Sequence, residues 1–263
     1  MNKIQLIIGL VVAAFSLLSY FGSSSINPIT GEKQHVGGMS PKEEVAMGLQ
    51  SAPQMAAQMG GLTQDARARQ LVAAVGAKVV AGSVAAKSGY PFKFHTLADP
   101  RTVNAFALPG GQIFITMSLL SRLETEGQLA AVLAHEVGHV IARHSAEHIA
   151  KDQLTQGLTG AFAMGAGSMS AAQIGQMVGQ MTMLKYGRDD ELEADSLGLR
   201  LMAEAGYDPR GMIRVMQILE KASGGARTPE YGSSHPSPPR RIEEINAKLA
   251  KAFPNGIPAG LKP

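Results

Sequence analysis

The pattern of apolar residues divides the chain into an N-terminal apolar run and a longer part in which apolar and polar stretches alternate. Residues 4–21 are almost continuously apolar and follow Lys3. At about 1.5 Å per helical residue, this run would span roughly 27 Å, close to the thickness of a bilayer core. It predicts a transmembrane anchor or signal segment over residues 1–22. Residues 19–23 form a poor cleavage site, which favours an uncleaved anchor.

Helical patterns follow the apolar run after a short break. Residues 23–40 are rich in Gly, Ser and Pro and predict a linker. A helix should begin at Pro41, because Ser40 is a suitable N-cap and Glu43 completes a capping box. Apolar positions at helical spacing predict a second helix over about residues 65–86.

The pattern then changes to the alternation typical of β-strands. Residues 92–97 and 103–108 predict two strands, and residues 112–116 predict a third. Pro109, Gly110 and Gly111 form a turn signal between the second and third strands. A small sheet with a hairpin therefore leads directly into the next helix.

The sequence His-Glu-Val-Gly-His at residues 135–139 is the main candidate for chemistry. Positions i and i+4 share a helix face, so His135 and His139 project together. Two neutral imidazoles in this arrangement bind a single Zn²⁺, and Glu136 lies close enough to act as a base toward water. For this motif alone, the alternative is a pair of surface histidines with a glutamate between them.

A second motif, Glu-Leu-Glu-Ala-Asp at residues 191–195, supplies carboxylates that would complete the site. A catalytic zinc site uses three protein ligands and one open position. Glu191 and Asp195 share a helix face, whereas Glu193 lies on the opposite side. We therefore assign Glu191 to the metal. Asp195 should accept a hydrogen bond from a ligand histidine, with His135 as the expected donor.

Composition restricts both the ligands and the class of protein. The 263-residue chain is 45% hydrophobic and 17% charged, which suits one substantial globular domain. It has no cysteine, so metal ligands must be His and carboxylates. The net charge of +3 is too small to indicate nucleic-acid binding. The long zincin motif requires Gly and His at positions occupied here by Ala142 and Ser145, which excludes that class.

Two further motifs accompany these sequences: NAFALPGG at residues 104–111 and SHPSPPRRI at residues 234–242. Together the four motifs resemble those of the HtpX/BepA/CAAX prenyl endopeptidase type of gluzincin zinc metallopeptidases. The resemblance covers roughly residues 40–245. It implies an α+β, mainly α, zincin-like domain with a small β-sheet above the HExxH helix. It also implies that the glutamate opening the ExxxD motif, Glu191 here, is the third ligand.

The resemblance assigns roles to two more residues. It places His235 near the zinc, either as a catalytic donor to the oxyanion or in the open position, where it would hold the enzyme inactive. An ordinary loop histidine is the alternative. Arg241 matches the family's arginine and should anchor this loop by pairing with a carboxylate.

Four residues are expected to bind substrate. Asn104 and Gly111 belong to the NAFALPGG motif, and Ile113 and Phe114 belong to the strand expected to hold the substrate backbone. Residues 157–187 are rich in Gly and Met and predict either a mobile lid or an ordinary helical hairpin.

The sequence thus predicts a membrane-tethered zinc endopeptidase with one Zn²⁺ per chain and polypeptide substrates. The resemblance implies misfolded envelope proteins as substrates and a role in protein quality control. The expected location is the inner membrane, in a single pass, with the domain over residues 41–263 facing the periplasm. If the anchor is cleaved, the domain is free in the periplasm. The alternatives are a zinc-stabilised, chaperone-like assembly factor with latent proteolysis and a non-metal membrane scaffold. The oligomeric state stays open.

Overall fold

A computed structural model of the chain describes residues 3–166, 186–222, 235 and 241–263. Its elements confirm the α+β, mainly helical class. In chain order they are α1 (Lys3–Gly22), β1 (Ser24–Ile26), β2 (Lys33–His35), α2 (Pro41–Gln58), α3 (Ala66–Ala81), a 3₁₀ helix (Val84–Ser88), β3 (Lys93–Leu97), β4 (Ala105–Leu108), β5 (Gln112–Thr116), α4 (Met117–Leu120), α5 (Glu126–Ile141), α6 (His144–Ala166), α7 (Arg188–Glu204), α8 (Gly211–Ala222) and α9 (Arg241–Ala252).

The chain divides into two compact units. The first consists of Met1–Ser40 and Arg143–Leu184, and the second of Pro41–Ala142 and Lys185–Pro263. The first unit therefore includes residues that the sequence analysis assigned to the linker and to the metallopeptidase domain. The motif-bearing residues 135–139 and 191–195 both lie in the second unit.

The first unit contains α1, α6 and a small hairpin. The mean hydropathy of α1 reaches 2.2, so this helix is long and apolar enough to cross a membrane. Strands β1 and β2 pair antiparallel within the segment expected to be a linker. The side chain of Asn27 accepts hydrogen bonds from the amides of Ile29 and Thr30, which closes the turn between the strands. Residues 167–185, the remainder of the expected lid, lie outside the described residues.

The sheet of the second unit has the strand order β3-β5-β4. Strands β4 and β5 form the predicted hairpin, and Gly110 and Gly111 take positive φ values of 75° and 101° in its turn. Strand β3 pairs with β5 in parallel. Because β5 is hydrogen-bonded on both sides, it is the central strand. Residues 112–116, expected to hold the substrate backbone, therefore have no free edge within the described part of the chain, whereas β4 is an edge strand.

The C-terminal boundary of α3 differs from the predicted one. Helix α3 begins after its N-cap Asp65, but it ends at Ala81, and a 3₁₀ helix follows Gly82 and Ser83. Helix α5 ends at Ile141, and α6 begins at His144. The break lies at Arg143, whose φ of 62° is left-handed.

Helix α5 forms the core of the second unit and packs closely against α7. Its residues 127–141 are all buried. A Cβ at Gly138 would lie 3.0 Å from the Ala194 carbonyl oxygen, and a Cβ at Gly198 would lie 3.3 Å from the His135 amide nitrogen. The two glycines thus let the helix backbones approach each other, which brings the carboxylates of α7 to the histidines of α5.

Candidate metal centre

Four potential ligands meet between α5, α7 and the segment that contains His235. One ligand atom from each of them lies within 4.8 Å of the others, and all four side chains are buried: His135, His139, Glu191 and His235. The first two come from one face of α5, as their spacing requires. The structure therefore brings together the three predicted zinc ligands and the histidine that the family resemblance placed beside them.

Asp195 fixes the orientation of the first histidine. Its Oδ1 atom lies 3.1 Å from Nδ1 of His135. A carboxylate accepts hydrogen bonds, so Nδ1 carries the proton and donates it to Asp195. When the ring is neutral, the lone pair of Nε2 then faces the centre of the cluster. This is the arrangement in which an outer carboxylate aligns a metal-binding imidazole.

The distances between ligand atoms fit a tetrahedral zinc ion. Zinc bonds of about 2.0–2.1 Å place neighbouring ligand atoms about 3.3–3.4 Å apart in a tetrahedron. Here Nε2 of His139 lies 3.1 Å from Nε2 of His135 and 3.4 Å from Oε1 of Glu191. Nε2 of His135 lies 3.5 Å from Oε2 of Glu191. Two imidazoles and one carboxylate are also the donor set of many catalytic zinc sites.

Arg241 holds the outer side of the cluster. Its Nε and Nη2 atoms each donate to one oxygen of Asp195, both at 2.8 Å. Its Nη1 atom lies 3.1 Å from Oε2 of Glu191. All three side chains are at most 3% exposed. Arg241, at the start of α9, therefore pairs with both carboxylates that α7 contributes. It follows His235 by six residues in the sequence.

The carboxyl group of Glu136 faces the same centre. The residue is fully buried, and neither of its oxygens has a hydrogen-bond partner within the described part of the chain. Its Oε1 atom lies 3.5 Å from Nε2 of His235. Burial raises the pKa of Glu136 above its usual value. A buried carboxylate of raised pKa beside a metal site is suited to taking up and releasing a proton.

The charges in the cluster shift the other pKa values strongly. Burial alone would lower the pKa of His135, but hydrogen bonds with Asp195 and Glu191 raise it to about 9. Burial alone would raise the pKa of Asp195, but the Arg241 guanidinium lowers it to about 2. The pKa of Glu191 is lowered despite burial because His235 and the two α5 histidines face it. These contacts therefore favour the ionised forms of Glu191 and Asp195, whereas burial favours the neutral form of Glu136.

One residue of this site was missed by the sequence analysis. The ring of Tyr186 stacks on His139 with a centroid distance of 3.9 Å and an interplanar angle of 18°. It is 5% exposed, and its centroid lies 5.3 Å from that of His235. Its only sequence signal is its position just before the helix that carries Glu191. The stacking restricts the orientation of the His139 imidazole.

The expected substrate-binding residues lie in different environments. Asn104 precedes β4 and its Oδ1 atom is buried without a hydrogen-bond partner in the described ranges. Gly111 lies in the turn, where its carbonyl accepts a hydrogen bond from Lys93 at 2.9 Å. Ile113 and Phe114 are 0% and 1% exposed on the central strand. The substrate-binding roles of these four residues stay predictions.

Together, the two histidines of the HExxH motif, the glutamate on a second helix and the adjacent Glu136 match the arrangement of residues in the gluzincin class. A comparison with protein families gives the same assignment. Residues 65–249 match the model of peptidase family M48, so the chain belongs to that family. The matched region contains the complete cluster, including His235 and Arg241.

The chain is also similar to several characterised proteins. It is 35% identical over 173 residues to the mitochondrial metalloendopeptidase OMA1 of Schizosaccharomyces pombe, covering 65% of this chain and 50% of that protein. It is 29% identical over 203 residues to the beta-barrel assembly-enhancing protease of Escherichia coli K12, covering 73% and 41%. The chain thus spans about half or less of the length of these relatives.

Proposed function

We propose that the chain is a membrane-tethered, zinc-dependent endopeptidase. The observation that carries the proposal is the buried cluster of His135, His139 and Glu191, with Glu136 directed at it. A bound zinc ion would polarise the scissile carbonyl and lower the pKa of water toward neutrality. Membership of peptidase family M48 supports the same activity.

The chain's own residues would transfer the protons and hold the proposed metal ligands in position. Glu136 would accept a proton from the attacking water and deliver it to the leaving amine. Asp195 would hold His135 in the tautomer required for metal binding, and Arg241 would neutralise the two outer carboxylates. The purified full-length chain should then cut unfolded casein at internal peptide bonds, identified by mass spectrometry. Release of terminal residues only, or no cleavage even after the His235→Ala substitution described below, would contradict endopeptidase activity.

The edge strand β4 is the best place for the substrate backbone. The amide of Thr116 donates to the carbonyl of Asn104 at 3.0 Å. Because hydrogen-bonded and non-hydrogen-bonded pairs alternate in an antiparallel ladder, Ala105 and Ala107 direct their backbone groups away from β5. No strand of the described part pairs with that side of β4. An extended peptide could add there as a further strand, beside the buried amide of Asn104.

Ala107→Pro should lower kcat/KM by about 2- to 12-fold, because it removes one backbone donor worth about 0.5–1.5 kcal/mol. Proline is tolerated at an edge position whose N–H faces outward, so folding should be preserved. Steady-state cleavage of a fluorogenic peptide measures the effect. Ala107→Ser, which keeps the N–H, is the matched control. Equal rates in the two variants would exclude backbone pairing at this position.

His235 lies where a substrate or water would have to approach. Its Nδ1 atom is 2.9 Å from Oε1 of Glu191 and 3.4 Å from Nε2 of His135, which corresponds to the fourth corner of the proposed tetrahedron. This geometry favours the inhibitory alternative over a role as oxyanion donor. The chaperone-like assembly factor with latent proteolysis would have such a capped site.

We therefore expect His235→Ala to cleave casein faster than the wild type while still binding one zinc ion per chain. The substitution opens the fourth position and leaves the three other ligands in place. Initial cleavage rates and metal content measured on the same preparations test this. A slower variant with unchanged zinc content would instead assign His235 to catalysis.

The proposal also covers the membrane attachment and the cellular role of the chain. Helix α1 supports a tether, and Lys3 before it favours a cytoplasmic N-terminus with the catalytic unit on the opposite side. Similarity to the beta-barrel assembly-enhancing protease supports quality control in a cell envelope, with misfolded or misassembled proteins as substrates. Added protease should then digest the unit in right-side-out membrane vesicles. Digestion only in inverted vesicles would reverse the orientation.

A further inference from the structure

Helix α6 lies against the apolar helix α1 in antiparallel register. A cleft between them is lined by Phe15, Ser16, Ser19 and Tyr20 from α1 and by Ala150, Gln153 and Leu154 from α6. One helical turn farther along α6, a Cβ at Gly157 would lie 2.1 Å from Oγ of Ser16. The C-terminal end of α1 is thus level with residues 150–154, and α6 continues toward the N-terminal end of α1.

The last charged residues of α6 lie level with the C-terminal end of α1. Lys151 and Asp152 are its last charged residues, and the sequence contains no Asp, Glu, Lys or Arg from residue 153 to residue 184. Tyr20 lines the cleft beside Gln153, and tyrosine is typical of membrane–water interfaces. If α1 spans a bilayer, the uncharged part of α6 lies at the depth of the hydrocarbon.

Three hydroxyl groups on these two helices are hydrogen-bonded in a way that suits a bilayer. The hydroxyls of Thr155 and Thr159 donate to carbonyls one turn earlier, at 2.9 and 2.8 Å, and Ser16 does the same at 2.9 Å. Such bonds satisfy hydroxyl groups within their own helix. The close approach of Ser16 and Gly157 is typical of membrane helices, which pack through small residues.

We propose that α6 enters the bilayer beside α1 beyond Asp152, so that the first unit contacts lipid through two antiparallel helices. The proposal rests on α1 being the membrane anchor, which is part of the proposed function. It assigns lipid contact to exposed positions of α6 such as Leu158, which is 37% exposed.

Single spin labels can test this, because the chain has no cysteine to remove. Val11→Cys, Lys151→Cys, Leu158→Cys and Thr159→Cys would each be labelled in the full-length protein in phosphatidylcholine liposomes. Ser16 lies beside Gly157 and precedes Gly22, the last residue of α1, by six residues. A label at Leu158, which follows Gly157, should therefore lie about 9 Å deeper in the bilayer than the C-terminal end of α1. At Leu158 and Thr159, we expect dissolved oxygen to relax the spin label several-fold more than a water-soluble nickel chelate does. At Lys151, we expect the chelate to relax the label more than oxygen does.

The label at Val11 tests whether α1 is a membrane anchor, separately from whether α6 enters the bilayer. A lipid-like Val11 with water-like Leu158 and Thr159 would leave the anchor in place and overturn the entry of α6. Water-like signals at all positions would overturn both. A lipid-like Lys151 would overturn the proposed entry point. Casein cleavage by the same labelled proteins reports the peptidase activity separately from each of these outcomes.

Discussion

Glu136→Gln should lower kcat for peptide cleavage by about 10²- to 10⁴-fold, the usual contribution of a general acid–base. Glutamine has nearly the same shape as glutamate but cannot accept and return the proton. Glu136 is fully buried and is not among the four clustered ligands. The variant should therefore fold and bind zinc as the wild type does. Cleavage of a fluorogenic peptide, together with metal analysis, measures both quantities.

Glu193→Gln is the matched control for this prediction. Glu193 lies on the same helix as Glu191, but it is partly exposed and is not a member of the ligand cluster. Its amide variant should keep the wild-type rate. If Glu136→Gln and wild type cleave equally, Glu136 is not the base, and the proposed proton transfers are wrong.

Arg241→Leu should lower the free energy of unfolding by about 3–5 kcal/mol, the cost of removing one partner of a buried ion pair. The substitution leaves the carboxylates of Asp195 and Glu191 buried without the guanidinium that contacts both. Urea unfolding of metal-free protein in detergent, with the slope compared between variants, measures this loss. Metal must be absent because a bound ion would stabilise the same carboxylates.

The effect of Arg241 should also depend on pH. The pKa of Asp195 is lowered from 3.8 to about 2 in the folded protein. Stability from this shift is fully present above the unfolded-state pKa and is lost as the pH falls through about 2. The difference between wild type and Arg241→Leu should therefore shrink in strong acid.

Arg200→Leu provides the control for the ion pair. Arg200 lies 2.7 Å from Glu204, but the two side chains are 51% and 34% exposed. Exposed pairs of this kind contribute at most about 1 kcal/mol. Equal destabilisation by the two substitutions would show that burial of the Arg241 cluster has no special effect.

Short-range spacing was enough to predict the parts of the site that lie within single helices. The i, i+4 relation accounts for His135 with His139, and for Glu191 with Asp195. Carboxylate–imidazole chemistry then suggested the contact between Asp195 and His135, which the structure contains at 3.1 Å. These predictions needed only helix geometry and the requirements of a metal.

Features that depend on distant parts of the chain were not predictable in this way. The parallel pairing of β3 with β5 makes β5 central, and nothing in the alternation of residues 112–116 specifies that neighbour. The left-handed Arg143 ends the α5 segment without a glycine or proline to signal it. The stacking of Tyr186 on His139 and the packing of α6 on α1 likewise arise only when separate segments meet.

A zinc titration of the metal-stripped, full-length chain tests the central claim most directly. Peptide cleavage should be absent after chelation, should rise with added zinc and should saturate at one ion per chain. His139→Ala should neither retain the ion nor recover activity, because it removes one of the clustered ligands. Cleavage that persists without zinc, or that recovers in His139→Ala, would contradict the assignment of this site as a zinc peptidase centre.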